Sequence, residues 1–134
     1  MYKLKILLAD DHDSFRRVLV AFLKTQKDIE VVGEAVNGQE AIEQAEKFRP
    51  DLVLMDVHMP KQNGIEATKA IKARWPSTKV FILSMDPSEF YRKNTQEYAD
   101  GFIPKSSMKN ALLSVLFHEQ KLHVDPIAAN AFAA

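Results

Sequence analysis

An α/β fold, doubly wound around a parallel sheet, is what this sequence predicts, and three observations predict it. Short apolar runs alternate five times with stretches of helical period along the 134 residues. The run Leu52-Val53-Leu54-Met55 is continuously apolar instead of alternating with polar residues, as in a strand buried on both faces. That run also stops abruptly, where Met55 meets Asp56. That is how strands end at the carboxyl edge of an α/β sheet, the edge where such proteins bind ligands.

The first strand spans 4–9 and ends in the acidic turn Asp10-Asp11-His12-Asp13-Ser14. A helix follows, with Phe15, Val18, Leu19, Phe22 and Leu23 at the 3.6 period and Asp13 or Ser14 as its N-cap. A second, shorter strand covers 29–32 and is expected to end at Gly33. Asn37-Gly38 marks a turn, with Asn37 capping a helix over 39–48 that Arg49-Pro50 ends. The third strand, 51–55, leads to Asp56. After Gly64 a third helix presents Ile65, Thr68, Ile71, Lys72 and Trp75 on one face and stops at Pro76. A fourth strand covers 80–83 and ends at Ser84. A weaker helix is expected over 88–97, where Asn94 and Thr95 are poor helix formers. Gly101-Phe102-Ile103 is a short fifth strand, followed by Pro104-Lys105-Ser106-Ser107 and a last helix over 108–120.

Composition narrows the function classes. Apolar residues make up 46% and charged residues 27%, which is globular, and the length suits one domain. The formal net charge is zero and no Lys/Arg run stands out, so direct nucleic-acid binding by this chain is not expected. Without cysteine there is neither a disulfide nor a thiolate metal site. The apolar stretch near the N-terminus is too short for a signal peptide or a membrane span, so a cytoplasmic protein is expected. The chain divides into a domain over 1–123 and a tail or start of a linker over 124–134, Ala-rich at its end.

The residues just beyond the strand ends form the candidate site. They are Asp10 and Asp11 after the first strand, Asp56 after the third, Ser84 after the fourth and Lys105 after the fifth. Singly, each has a plainer use: a helix cap, a turn residue, a solvated lysine. Together they place three carboxylates, a hydroxyl and an ammonium on one sheet edge. Clustered carboxylates repel and need a cation. Lys105 supplies one charge, and a hard divalent ion such as Mg²⁺ would supply two more while leaving positions open to phosphate. A metal with an open position beside a carboxylate suits phosphoryl transfer.

These features together resemble the receiver domain of bacterial two-component response regulators. The resemblance covers about residues 3–122. It rests on Asp10-Asp11, the run ending at Asp56, Met59-Pro60 with Gly64, Leu83-Ser84, and Gly101-Phe102-Ile103-Pro104-Lys105. It implies a flavodoxin-like (βα)5 sheet of order 2-1-3-4-5. It implies that Asp56 accepts a phosphoryl group from a sensor histidine kinase. Asp11, Asp56 and the backbone carbonyl of His58 would ligate Mg²⁺, with Asp10 acting through water. Lys105 and Ser84 would contact the phosphoryl oxygens, and Ser84 and Phe102 would switch. The change would be expressed on the helix over 88–97, the fifth strand and the last helix.

His12 and the run from Gly101 to Ser106 look most like the subgroup carrying a LuxR-type helix-turn-helix output domain. That domain is absent from this chain, which is read as a receiver fragment or a stand-alone receiver in a phosphorelay. DNA would be reached only through the missing domain, and transcriptional regulation is the expected output. Two departures stand out. Met85 follows Ser84 where a small residue is common, and Glu97-Tyr98-Ala99 replaces a segment that usually carries Gly. On the last helix, Met108, Ala111, Leu112 and Val115 read as the core face. Leu113 and Phe117 lie opposite, flanked by Leu116, as a homodimer or partner surface. An aspartyl-phosphate phosphohydrolase is the rival enzyme reading, weakened because its second acid would fall at His58. An FMN binder is the other rival, weakened by the acidic loop after the first strand.

Overall fold

The computed structural model describes residues 2–59, 61, 63–86, 88 and 97–124. Its five parallel strands are β1 (Leu4–Ala9), β2 (Ile29–Ala35), β3 (Leu52–Asp56), β4 (Lys79–Ser84) and β5 (Gly101–Pro104). They pair in the order β2-β1-β3-β4-β5. The helices are α1 (Asp13–Lys24), α2 (Gly38–Phe48), α3 (Gly64–Arg74) and a C-terminal helix (Met108–Val124) entered through a 3-10 turn at Lys105–Ser107. This is the flavodoxin-like arrangement. The expected helix over 88–97 and the tail beyond 124 fall almost wholly outside the described residues.

The two faces of the sheet explain the continuous apolar runs. Successive side chains of a strand point to opposite faces. Leu7, Ala9, Val53, Met55, Val80 and Ile82 therefore meet Ala41, Ala45, Ala67 and Ile71 of α2 and α3. Leu4, Ile6, Leu8, Leu52, Leu54 and Leu83 meet Leu19 and Leu23 of α1 and Met108, Leu112 and Leu116 of the C-terminal helix. Every residue of β3 is buried, because it is the middle strand of five.

Three local expectations are corrected. Gly33 does not end β2. The pairing steps from Ile6↔Val31 to Leu7↔Gly33, a bulge at Val32, and the strand continues to Ala35. A Cβ at Gly33 would lie 2.3 Å from Gln44 Oε1, the far end of a flexible side chain that would have to move to admit it. The N-cap of α1 is His12, without a side-chain cap bond, instead of Asp13 or Ser14. On the C-terminal helix Met108, Ala111, Leu112 and Val115 face the core as expected, but Leu116 joins them. Leu116 is 3% exposed and belongs to the core, so the proposed surface patch narrows to Leu113, 42% exposed, and Phe117, 61% exposed. Asn37 does cap α2, its side chain accepting from Glu40 N, and Asn63 caps α3 in the same way through Glu66 N.

Candidate functional site

The site lies where β1 and β3 end side by side. In this sheet β1 sits between β2 and β3, so the crossovers leave β1 in opposite directions and a crevice opens at its carboxyl end. Asp10 follows β1 and is 1% exposed; Asp56 closes β3 and is 4% exposed. Asp11 is more open. Asp56 Oδ1 accepts a bond from the His58 amide at 3.2 Å. Lys105, just past β5, reaches across with its Nζ 3.4 Å from Asp56 Oδ2 and 2.8 Å from Asp10 Oδ2. The same ammonium stands 4.5 Å above the Phe15 ring of α1.

The electrostatics follow from this crowding. Burial pushes the Asp56 carboxyl up from 3.8 to about 6, and the charge of Asp10 adds to the rise. Lys105 and the His58 N–H oppose it without cancelling it. One ammonium therefore does not neutralise the two buried acids. Asp10 Oδ2 also accepts no hydrogen bond, since its approach to Lys105 lacks the alignment of one. Donor atoms of Asp10, Asp11, His12 and Asp56 all lie within 4.8 Å of one another. A hard, doubly charged ion fits such a set, because it supplies the missing positive charge to oxygen donors. The chemistry on offer is therefore that of an under-neutralised carboxylate beside a cation-binding cluster.

The remaining expected residues are close by but differently engaged. Ser84 ends β4 and is 4% exposed, its Oγ exchanging bonds with Asp86 N and O at 3.1 and 3.2 Å. Phe102 is half-buried on β5 and packs against the α2/α3 side of the core. Met85 is 69% exposed. Sequence reasoning missed Arg16. Its Nη1 donates to the Asp10 carbonyl at 2.7 Å, its Nε to Glu34 at 2.9 Å and its Nη2 to Asp13 at 2.7 Å. It thus ties the ends of β1 and β2 to the first turn of α1. The available signal was Asp13 three residues before Arg16, a spacing that pairs on a helix. Gly64 is the other missed contributor. A Cβ there would stand 1.9 Å from the Asp56 carbonyl oxygen, so α3 can start against the end of β3 only with glycine.

Comparison with known proteins agrees with this geometry. Residues 6–117 match the model of the response regulator receiver domain. The chain belongs to that family. Among curated relatives, this receiver is 36% identical to the transcriptional regulatory protein DegU of Brevibacillus brevis over 115 residues, covering 85% of the chain and 49% of DegU. It is 45% identical to the response regulator protein VraR of Staphylococcus aureus over 91 residues, covering 66% of the chain and 44% of VraR. The receiver thus spans about half the length of the curated relatives it matches. Among solved structures, a LuxR-family two-component response regulator from Aurantimonas sp. SI85-9A1 superposes with a TM-score of 0.77 at 30% identity, covering 85% of this chain and 82% of that one. The Asp10, Asp11 and Asp56 cluster is of the type that holds Mg²⁺ in receivers. Among the described residues, no helix is long and apolar enough to cross a membrane.

Proposed function

We propose that this receiver takes a phosphoryl group onto Asp56 from a phosphohistidine of a sensor histidine kinase, acting as a phosphoacceptor and not as an enzyme with turnover. The observation that carries this reading is the position of Lys105 Nζ, which bridges the buried carboxylates of Asp10 and Asp56. A carboxylate oxygen of Asp56 attacks phosphorus, the P–N bond breaks, and the electron pair leaves with the kinase imidazole. Asp11, Asp56 and the His58 carbonyl would hold Mg²⁺, with Asp10 acting through water. When bound, the ion neutralises charge on the equatorial phosphoryl oxygens. Lys105 then turns from Asp10 to a phosphoryl oxygen, and Ser84 gives up its bonds to Asp86 to reach another. Phe102 turns inward behind it. The switch is read by an output domain or partner on the face of β5, the 88–97 segment and the C-terminal helix, in the service of transcriptional control in the cytoplasm. In this reading residues 1–123 are the phosphoacceptor domain and 124–134 begin a linker.

Intact-mass measurement with acetyl phosphate and Mg²⁺ tests it. Wild type should gain one phosphoryl group, and Asp56→Asn should gain none. Equal labelling of both proteins would overturn the assignment.

A further inference from the structure

The turn after β1 brings an imidazole to the acidic cluster. The His12 amide donates to Asp10 Oδ1 at 2.8 Å, which folds the turn back on itself. The ring then lies with Nδ1 3.5 Å from Asp10 Oδ1 and 4.0 Å from Asp11 Oδ1. Ligands of one transition ion, each about 2.1 Å from it, stand roughly 3–4 Å apart. The His12 spacings to both aspartates match that separation. His12 also occupies the N-cap position of α1 without spending its ring on a cap bond. The ring is 69% exposed, whereas Asp10 and Asp56 are buried. Asp10 Oδ2 meets Lys105 Nζ at 2.8 Å without an aligned hydrogen bond, and that one ammonium is shared with Asp56, which gives independent reason for a further cation at this place.

We propose that His12 is a protein ligand of the divalent-ion site, its Nδ1 adding a nitrogen donor to the carboxylates of Asp11 and Asp56 while Asp10 acts through water. This rests on the reading that the cluster holds a divalent cation. Its consequence is selectivity. Mg²⁺ draws little from imidazole, whereas Co²⁺ and Ni²⁺ bind it well. The site then accepts two classes of ion with different donor sets: oxygen donors alone for Mg²⁺, and oxygen donors plus His12 for the later transition ions. Ion identity would thereby decide whether the first turn of α1 is tied to the site.

Calorimetric titration of the full chain with MgCl₂, CoCl₂ and NiCl₂ tests this, using wild type, His12→Ala, His12→Gln and Asp11→Asn. Both His12 variants should weaken Co²⁺ and Ni²⁺ by about 10-fold or more, the scale of losing a group that supports a metal. Mg²⁺ affinity should change by less than about 2-fold, as expected of an ion that prefers oxygen. In proton NMR of the Co²⁺ form, a shifted, exchangeable imidazole N–H should be present in wild type and His58→Ala and lost in His12→Ala. Unchanged Co²⁺ and Ni²⁺ affinities in both His12 variants would overturn the assignment of His12 while leaving the Mg²⁺ site intact. If Asp11→Asn leaves the affinity for all three ions unchanged, the cation site itself is overturned, and the assignment of His12 with it.

Discussion

Asp56 carries a cost that the fold accepts in order to keep a reactive carboxyl buried. Its raised pKa means that the folded chain holds a proton that the unfolded chain releases between pH about 4 and about 6. The stability linked to that proton is fully present below pH 4 and is lost as pH rises through about 6. In EDTA at pH 7.5, Asp56→Asn should therefore be more stable than wild type by about 1–3 kcal/mol, the scale of a shift of this size. At pH 4 the difference should nearly vanish. Urea melts at the two pH values check this, and an equal gain at both would contradict it. The acids and Lys105 were legible in the sequence because each stands at the end of an apolar run, and strand ends of a parallel sheet converge. Arg16 was legible only as a partner of Asp13 on its own helix, because an arginine on an amphipathic helix gives no sign in sequence that it reaches a neighbouring strand. What it binds, the Asp10 carbonyl and Glu34, becomes adjacent only once β1 and β2 pair.

Among the elements, those ended by a backbone rule were read well and those ended by packing were not. Asn37 before Gly38 announces a cap through its own side chain, and it is one. Gly33 looked like a stop because a glycine inside a strand is usually costly, but it sits beside a bulge and the strand runs on past it. On the C-terminal helix Met108, Ala111, Leu112 and Val115 were read correctly as the core face, and Leu116 alone was misplaced, because Leu112, Leu113, Val115, Leu116 and Phe117 put apolar residues nearly all around it. The buried row is Met108, Leu112 and Leu116, continued by the buried carboxylate of Glu119 where an apolar residue would be expected. Leu116→Ala should consequently cost about 2–5 kcal/mol, as large-to-small changes in cores do. Leu113→Ala should cost less than about 1 kcal/mol, as surface changes do. Denaturant midpoints check this difference directly. At the start of α3, Gly64→Ala should destabilise by about 1–3 kcal/mol, the usual scale of overpacking. It should also slow phosphorylation, because the added methyl presses on the backbone of Asp56.

At the scale of the whole molecule, the edge opposite the site is held by its own network. Asp51 accepts from Tyr2 Oη at 2.5 Å and from Lys5 N at 2.9 Å, and Tyr2 stacks on His123 at 4.6 Å. Burial, then the bond to Asp51, pushes the Tyr2 phenol up to about 12. Absorbance titration should find one late-ionising tyrosine that disappears in Tyr2→Phe. The stability tied to that phenol is present below pH 10 and is lost as pH rises through about 12. Leu113 and Phe117 lie on the outer face of the C-terminal helix. If that face pairs receivers, Leu113→Glu with Phe117→Glu should abolish any phosphorylation-dependent shift in size-exclusion chromatography. The same elution as wild type under phosphorylating conditions would exclude the face.

The acidic cluster is assembled from strand ends far apart in the chain; Lys105 and Asp56 alone are 49 residues apart. Loop-closure entropy must be spent before such groups meet, so the mutual repulsion of the carboxylates is met late on the folding route. A cation at the cluster can then stabilise only what has already formed. Mg²⁺ should slow unfolding in proportion to its binding and leave the refolding rate nearly unchanged, a separation that stopped-flow measurement of both arms would reveal. The ion would thus act on this domain as a latch on the finished fold, not as a guide to it.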